Sequence, residues 1–255
     1  MLPKPITLHG KPLGRQLPAI CAPLVGRTCD ALLAEAAAVV AKKPDLLEWR
    51  VDFFEGIVDA EDVVKLLGSI KQAAGGLPLL FTCRSSLEGG EKIPLSASQL
   101  VGLYRAVCES RHAAFIDYEM SNDAGHVRQV REFSQANGVQ LIASFHDFKK
   151  TPSVDELNQK FAQAAKIGAD VAKVAVMPVT MDDVLVLLAA TLQSSRTLAI
   201  PLVSMSMAGQ GAITRACGWA FGSALSFAVG QAASAPGQMP IEDLEQVIGL
   251  LRQAS

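Results

Sequence analysis

Residues 153–177 read SVDELNQKFAQAAKIGADVAKVAVM, and the two halves of this stretch have different periods. From Val154 to Ile167 the apolar residues recur at helical spacing. Ser153 is placed to cap that helix, Glu156 completes a capping box, and Gly168 ends it. Asp170–Met177 is then a short run, apolar on both faces, as in a parallel strand covered by helices. Its one interior charge is Lys173. A cation there must lose hydration, find a partner or lose its proton. Burial favours the neutral amine, and a neutral amine attacks ketones and aldehydes. Equally open from this segment is a lysine whose head snorkels out of the strand end or pairs with a carboxylate.

The same unit repeats along the chain. Strand-like runs are predicted at 19–25, 46–51, 78–84, 114–119, 140–146, 170–177, 198–205 and 224–229. Amphipathic segments lie between them at 29–43, 60–74, 96–111, 124–137, 154–167 and 181–194, with a short one at 214–221 and a last one at 241–253. Val63, Leu66, Leu67 and Ile70 show the helical spacing, and Asn137-Gly138 ends the fourth helix. Eight strand–helix units in roughly 250 residues match a (β/α)8 barrel. A doubly wound open sheet is the alternative, weakened because no G-x-G-x-x-G follows the first strand. Residues 1–17, with Ile6–Gly14 at their centre, are expected to form a hairpin closing the barrel bottom, so that 1–255 is one barrel domain.

Composition narrows the function. Half of the 255 residues are hydrophobic, enough for a large core. A net charge of −2 gives no electrostatic case for nucleic acid, and there is no polybasic segment for an anionic membrane. No apolar stretch is long enough to span a bilayer, and Met1–Pro5 does not read as a signal peptide. The five cysteines (Cys21, Cys29, Cys83, Cys108, Cys217) contain no C-x-x-C pair. They read as free thiols of a reducing compartment, hence a cytoplasmic protein.

In a barrel, chemistry gathers at the C-terminal ends of the strands. The second strand ends in Glu48 and Arg50, two apart and so facing the same way. The third ends in Arg84, followed by Glu88-Gly89-Gly90-Glu91, and the fourth in Asp117-Tyr118-Glu119. The fifth ends in Ser144-Phe145-His146-Asp147, and the sixth carries Lys173. Ser204, Met205, Ser206 and Arg215 follow the seventh; Ser234 and Gln238 follow the eighth. Each has a plainer reading. Glu48 with Arg50 fits an ion pair filling a barrel layer, Arg84 fits a partner for Glu48 or Glu119, and Asp147 fits a turn cap. Met205 and Phe227 read as pocket wall. No G-K-[ST] supports a phosphate loop. No H-x-H or H-E-x-x-H supports a metal, which Lys173 would also repel. Taken together, a histidine and a lysine on adjacent strands are the equipment of imine chemistry. Arginines on other strands suit a substrate carboxylate, so a small acidic ketone or aldehyde is the expected substrate.

These segments resemble one known family over essentially the whole chain. They are Leu47-Glu48-Trp49-Arg50-Val51-Asp52, Phe81-Thr82-Cys83-Arg84-Ser85-Ser86-Leu87-Glu88-Gly89-Gly90, Ser144-Phe145-His146-Asp147-Phe148, Lys173-Val174-Ala175-Val176-Met177-Pro178, Ser204-Met205-Ser206, Thr214-Arg215, Phe221-Gly222-Ser223 and Ser234-Ala235-Pro236-Gly237-Gln238. The chain is similar to the type I 3-dehydroquinate dehydratases of the shikimate pathway. The resemblance implies that Lys173 forms an imine with the C3 ketone of 3-dehydroquinate. His146 moves the proton in a syn loss of water that gives 3-dehydroshikimate, and Glu88 orients His146. It implies that Arg215, with Ser234 and Gln238, binds the substrate carboxylate. Glu48, Arg50 and Arg84 hold ring hydroxyls and set the field around Lys173, while Met205 and Phe227 shape the wall. It further implies a homodimer that uses no metal or organic cofactor. The chain departs from the family pattern at Cys21, at Phe145, and in a looser loop at 207–213. Two other readings stay in view: a class I aldolase-like barrel, and a non-catalytic metabolite-binding descendant.

Overall fold

A computed structural model describes residues 6–8, 11–13 and 18–254. Two short strands, β1 (Thr7–Leu8) and β2 (Lys11–Pro12), pair antiparallel. The remainder of the expected N-terminal hairpin, at 1–5, 9–10 and 14–17, lies outside the described residues. Eight strand–helix units follow. They are β3 (Ala19–Leu24) with α1 (Cys29–Val40), β4 (Leu46–Arg50) with α2 (Ala60–Ala73), β5 (Leu79–Thr82) with α3 (Ala97–Ser110), and β6 (Phe115–Glu119) with α4 (Ala124–Asn137). Then come β7 (Gln140–Asp147) with α5 (Val154–Ile167), β8 (Val171–Val176) with α6 (Met181–Thr197), β9 (Leu202–Ser206) with α7 (Ala208–Cys217), and β10 (Leu225–Phe227) with α8 (Ile241–Gln253).

The eight strands run parallel in the order β10-β3-β4-β5-β6-β7-β8-β9. The Ala224 N–H donates to the Leu202 carbonyl at 2.7 Å, and Leu202 bridges Ser223, which brings the two ends of the sheet together. This is a (β/α)8 barrel. The caps form as their residues dictate. Ser153 and Glu156 make a reciprocal capping box, and Gly168 ends α5 at φ 81°, a left-handed conformation that glycine adopts without steric cost.

Strand alternation sends the two side-chain sets to different places. On β8, Ala172, Val174 and Val176 join the layer between barrel and helices, while Val171 and Ala175 point into the barrel. Lys173 therefore faces the axis. The interior changes character along that axis. Leu46, Leu80, Phe115, Ile142 and Val171 fill the N-terminal end, with Leu8 of the hairpin packed among them. Glu48, Arg50, Thr82, Arg84, Asp117, Glu119, Ser144 and Lys173, all buried, occupy the C-terminal half.

One element differs from its sequence reading. The short helix expected at 214–221, after a loop at 207–213, is instead α7 at Ala208–Cys217, followed by a 3-10 turn at Gly218–Phe221. Gly209 and Gly211 hide the helical signal, because glycine is a poor helix former. Gly211 is needed for packing: a Cβ there would lie 2.3 Å from the Ser206 carbonyl. With no side chain in the way, the first turn closes onto β9, where the Ser206 N–H donates to Thr214 Oγ1 at 2.9 Å. The seventh strand also starts later than expected, at Leu202, because α6 runs on to Thr197.

Candidate active site

Lys173 lies at the centre of the C-terminal half. Its Nζ donates to Asp117 Oδ2 at 2.8 Å, stands 3.9 Å from Glu48 Oε1 and lies 4.6 Å from the centroid of the Phe227 ring. The carboxylate pairing left open by the sequence is thus present. It occurs inside the barrel and not at a snorkelled strand end, and Asp117 on β6 is the partner. Burial by itself would raise the Asp117 carboxyl, but Arg84 and Lys173 outweigh it and hold the group well below the usual carboxylate range.

The arginines have partners that differ in part from those expected. Arg50 pairs with Asp52 through two bonds of 2.7 and 2.8 Å, and not with Glu48. The 3-10 turn at Val51–Phe53 lets the chain fold Asp52 back onto the strand end. Glu48 instead accepts the Thr82 hydroxyl at 2.9 Å. Arg84 meets Glu119 at 3.0 Å, one of the two expected partners, and also Asp117 at 2.8 Å. Asp147 accepts from the N–H groups of Lys149 and Lys150, the turn role read for it.

His146 sits one strand from Lys173, on β7, where Ser144 and not His146 is the register partner of the lysine. Glu88 reaches it from the turn after β5. One carboxylate oxygen, Oε2, accepts both the His146 main-chain N–H at 2.9 Å and the ring Nδ1 at 2.8 Å. While Glu88 is ionised it can only accept, which assigns the proton to Nδ1 and leaves Nε2 as the basic nitrogen. Burial, then the charges of Arg84 and Lys173, push the imidazole well below its ordinary value, so it is a neutral base at pH 7. Burial and the neighbouring Glu119 push Glu88 up to about 7, against the Ser121 hydrogen bond and Arg84.

Arg215 is the exception among the cations. It is buried, yet among the described residues it meets no carboxylate. Its Nη1 contacts Met205 Sδ at 3.7 Å and the Phe227 carbonyl at 3.3 Å, Nη2 donates to the Pro236 carbonyl at 3.1 Å, and Nε has no partner. Burial lowers it to about 10.

The loop after β10 covers this set. Gln238 and Ser234 bond to each other, through the Ser234 N–H to Gln238 Oε1 and Gln238 Nε2 to Ser234 Oγ. Arg50 donates to the Ser234 carbonyl at 3.3 Å. Glu48, Arg50, Arg84, Glu88, His146, Lys173, Met205, Phe227, Ser234 and Gln238 all line one cavity of about 40 Å³, room for one or two waters. A wider cleft of about 930 Å³ lies at the opposite end of the barrel, but its cation, Arg131, is already paired with Asp170.

A sequence model of the type I 3-dehydroquinase family matches residues 20–255. The 3-dehydroquinate dehydratase of Albidiferax ferrireducens is 56% identical over 252 residues, covering 98% of this chain and 96% of its own. The chain belongs to the type I 3-dehydroquinases. The crystal structure of 3-dehydroquinate dehydratase from Geobacillus kaustophilus agrees with a TM-score of 0.97 at 46% identity, over 100% of this chain and 98% of that one. A second crystal structure, of type I 3-dehydroquinate dehydratase from Clostridium difficile with covalently modified comenic acid, gives 0.95 at 35% identity over the whole of both chains. Membership in the type I 3-dehydroquinases sets aside the aldolase-like and non-catalytic readings.

The supporting carboxylates of this 3-dehydroquinase site are only partly legible in the sequence. Asp117, Glu119 and Ser144 stand at strand ends, and Glu119 is an expected partner of Arg84, but the contacts of Asp52 with Arg50 and of Asp117 with Lys173 and Arg84 are not among the expectations. A count of charge offers the signal. Of the four buried cations, Arg50, Arg84 and Lys173 lie within reach of the strand-end carboxylates, and Arg215 does not meet one among the described residues. Among the described residues no group of three His, Cys, Asp or Glu is arranged to hold a metal ion, and no helix is long and apolar enough to cross a membrane.

Proposed function

We propose that the chain dehydrates 3-dehydroquinate to 3-dehydroshikimate through an imine on Lys173. The observation that carries this reading is the convergence of the Lys173 amine and the Glu88–His146 pair in one covered cavity at the C-terminal mouth of the barrel. Lys173 adds to the C3 ketone and water leaves, giving a protonated imine. That cation is an electron sink, and it acidifies the C2 proton. His146, whose Nε2 is the free nitrogen, takes the C2 proton and then delivers a proton to the departing C1 hydroxyl. Hydrolysis of the imine returns the amine. Asp117 and Glu48 keep the amine aimed at the cavity, and the Phe227 ring closes its apolar side.

Arg215 takes the substrate carboxylate, with Ser234 and Gln238 beside it. Its unpaired burial supports this role, since an ionised carboxylate is the partner its fork geometry fits. Arg50, Arg84 and Glu48 stand nearer the amine and suit the ring hydroxyls. A cavity of about 40 Å³ leaves little room for a cyclohexane acid with the 234–238 loop in place. That tightness supports a loop that withdraws for entry and returns to exclude water. The reading extends to a homodimer in the cytoplasm without metal or organic cofactor. Family resemblance supports the homodimer and the absence of a cofactor; the five free, dispersed thiols support the location.

Reduction with borohydride in the presence of 3-dehydroquinate tests the imine. The expected result is a mass increase confined to the peptide carrying Lys173, absent in Lys173→Met. Turnover that leaves Lys173 unlabelled under trapping conditions would rule out the imine.

A further inference from the structure

We propose that Ser121 is a positioning residue of the proton-transfer pair, its hydroxyl keeping Glu88 an ionised acceptor for His146. This rests on the reading of Glu88 and His146 as that pair. The two oxygens of Glu88 have separate duties. Oε2 accepts twice from His146, and Oε1 accepts the Ser121 hydroxyl at 2.5 Å. That length belongs to the charge-assisted range for a hydroxyl on a carboxylate. Ser121 stands in the turn after β6, exposed to solvent, while Glu88 is buried. The serine thus reaches in from the rim and fixes the carboxylate at the end opposite His146.

Glu88 needs such a donor because its surroundings are divided. Glu119 and Asp117 on β6 oppose its negative charge, and Arg84 at the end of β5 favours it. His146 faces it from β7, and Lys173 on β8 with Glu48 and Arg50 on β4 line the same cavity. Burial and Glu119 push the carboxyl up to about 7, so its charge changes hands near neutrality, and the Ser121 bond is among the few influences pulling it down. Once Glu88 is protonated, the acceptor that keeps the proton on Nδ1 is lost. The imidazole is then free to carry its proton on Nε2, where it cannot act as a base. Removing the hydroxyl should therefore raise the pH at which activity falls.

The experiment compares kcat/KM against pH for the parent, Ser121→Ala, Ser121→Thr and Glu88→Gln, because that ratio reports ionisations of the free enzyme. Ser121→Ala should move the acid limb upward by about 1–2 pH units, the size of one hydrogen bond to a charged group. Its rate loss should deepen as pH falls and reside in kcat. Ser121→Thr should restore the parent profile, and Glu88→Gln should abolish the limb. An unshifted Ser121→Ala profile, or a uniform loss at every pH, overturns the role of Ser121 while leaving the Glu88–His146 pair intact if Glu88→Gln still removes the limb. A Glu88→Gln profile that keeps the parent limb overturns the pair itself, and the serine's role with it.

Discussion

Replacing Arg215 with methionine should separate stability from function. The guanidinium is buried with no carboxylate among its described partners, and burial lowers it to about 10 from an ordinary 12.5. At about 1.4 kcal/mol per pKa unit, roughly 3 kcal/mol is held against the folded state at neutral pH. The sign follows from linkage. A basic group whose folded pKa lies below its unfolded one disfavours folding at every pH below the folded value, and the cost fades only as pH rises through about 10 to 12.5. The contacts in return are long: 3.7 Å to a thioether, and 3.3 and 3.1 Å to carbonyls. Two such bonds offset about 2–3 kcal/mol. Arg215→Met fills similar space with apolar atoms, so its stability in urea unfolding at pH 7 should lie within about 1 kcal/mol of the parent. Any difference should be flat between pH 6 and 9. Catalysis should respond differently. Losing two charge-assisted bonds to a substrate carboxylate removes about 3–4 kcal/mol, so kcat/KM should fall about 10²- to 10³-fold. The appearance of the conjugated enone of the product is a direct assay. A variant destabilised by more than about 2 kcal/mol, with kcat/KM within tenfold of the parent, would refute the reasoning. Arg215 would then be a structural clamp for the 234–238 loop.

Asp117→Asn should behave in the opposite sense. It strips counter-charge from both Lys173 and Arg84, and breaking a buried pair leaves uncompensated charge, so urea unfolding should show a loss of about 3–5 kcal/mol; a loss below about 1 kcal/mol would count against that network. The folded carboxyl of Asp117 is held below its unfolded value of 3.8, so the parent should keep this contribution above about pH 4 and lose it only as pH falls further. Gly90→Ala would set a Cβ 2.0 Å from the Arg84 carbonyl in the turn that carries Glu88. A melting temperature and kcat both well below the parent are expected, whereas Gly102→Ala, where an added Cβ meets nothing within 4 Å, should stabilise α3 by about 0.5–1 kcal/mol. Equal melting temperatures for the two alanine variants would contradict the packing described at Gly90.

The barrel was legible because its signals are local. Ser153, Glu156 and Gly168 mark one helix within a few residues of chain, and the run around Lys173 marks one strand, whatever the rest of the molecule does. The place of Lys173 and His146 on neighbouring strands followed from counting those units. Helix α7 escaped the same reading because Gly209 and Gly211 are poor formers in isolation, and only contact with β9 makes the small size of Gly211 an advantage. Partner choice among the buried charges escaped it for a related reason. Arg84 meets Asp117 and Glu119 across 33 and 35 residues of chain, and Lys173 meets Asp117 across 56. Such pairings depend on strand order, register and closure of the barrel. Periodicity along the chain says which way a side chain points, so the sequence alone determined that these groups enter the barrel. Which anion each cation meets, and that Arg215 meets none, was decided only when eight strands closed around one axis. There each charge, cut off from water, had to be satisfied by whatever lay across a few ångströms, a carboxylate for Arg50, Arg84 and Lys173 and only carbonyls and a thioether for Arg215.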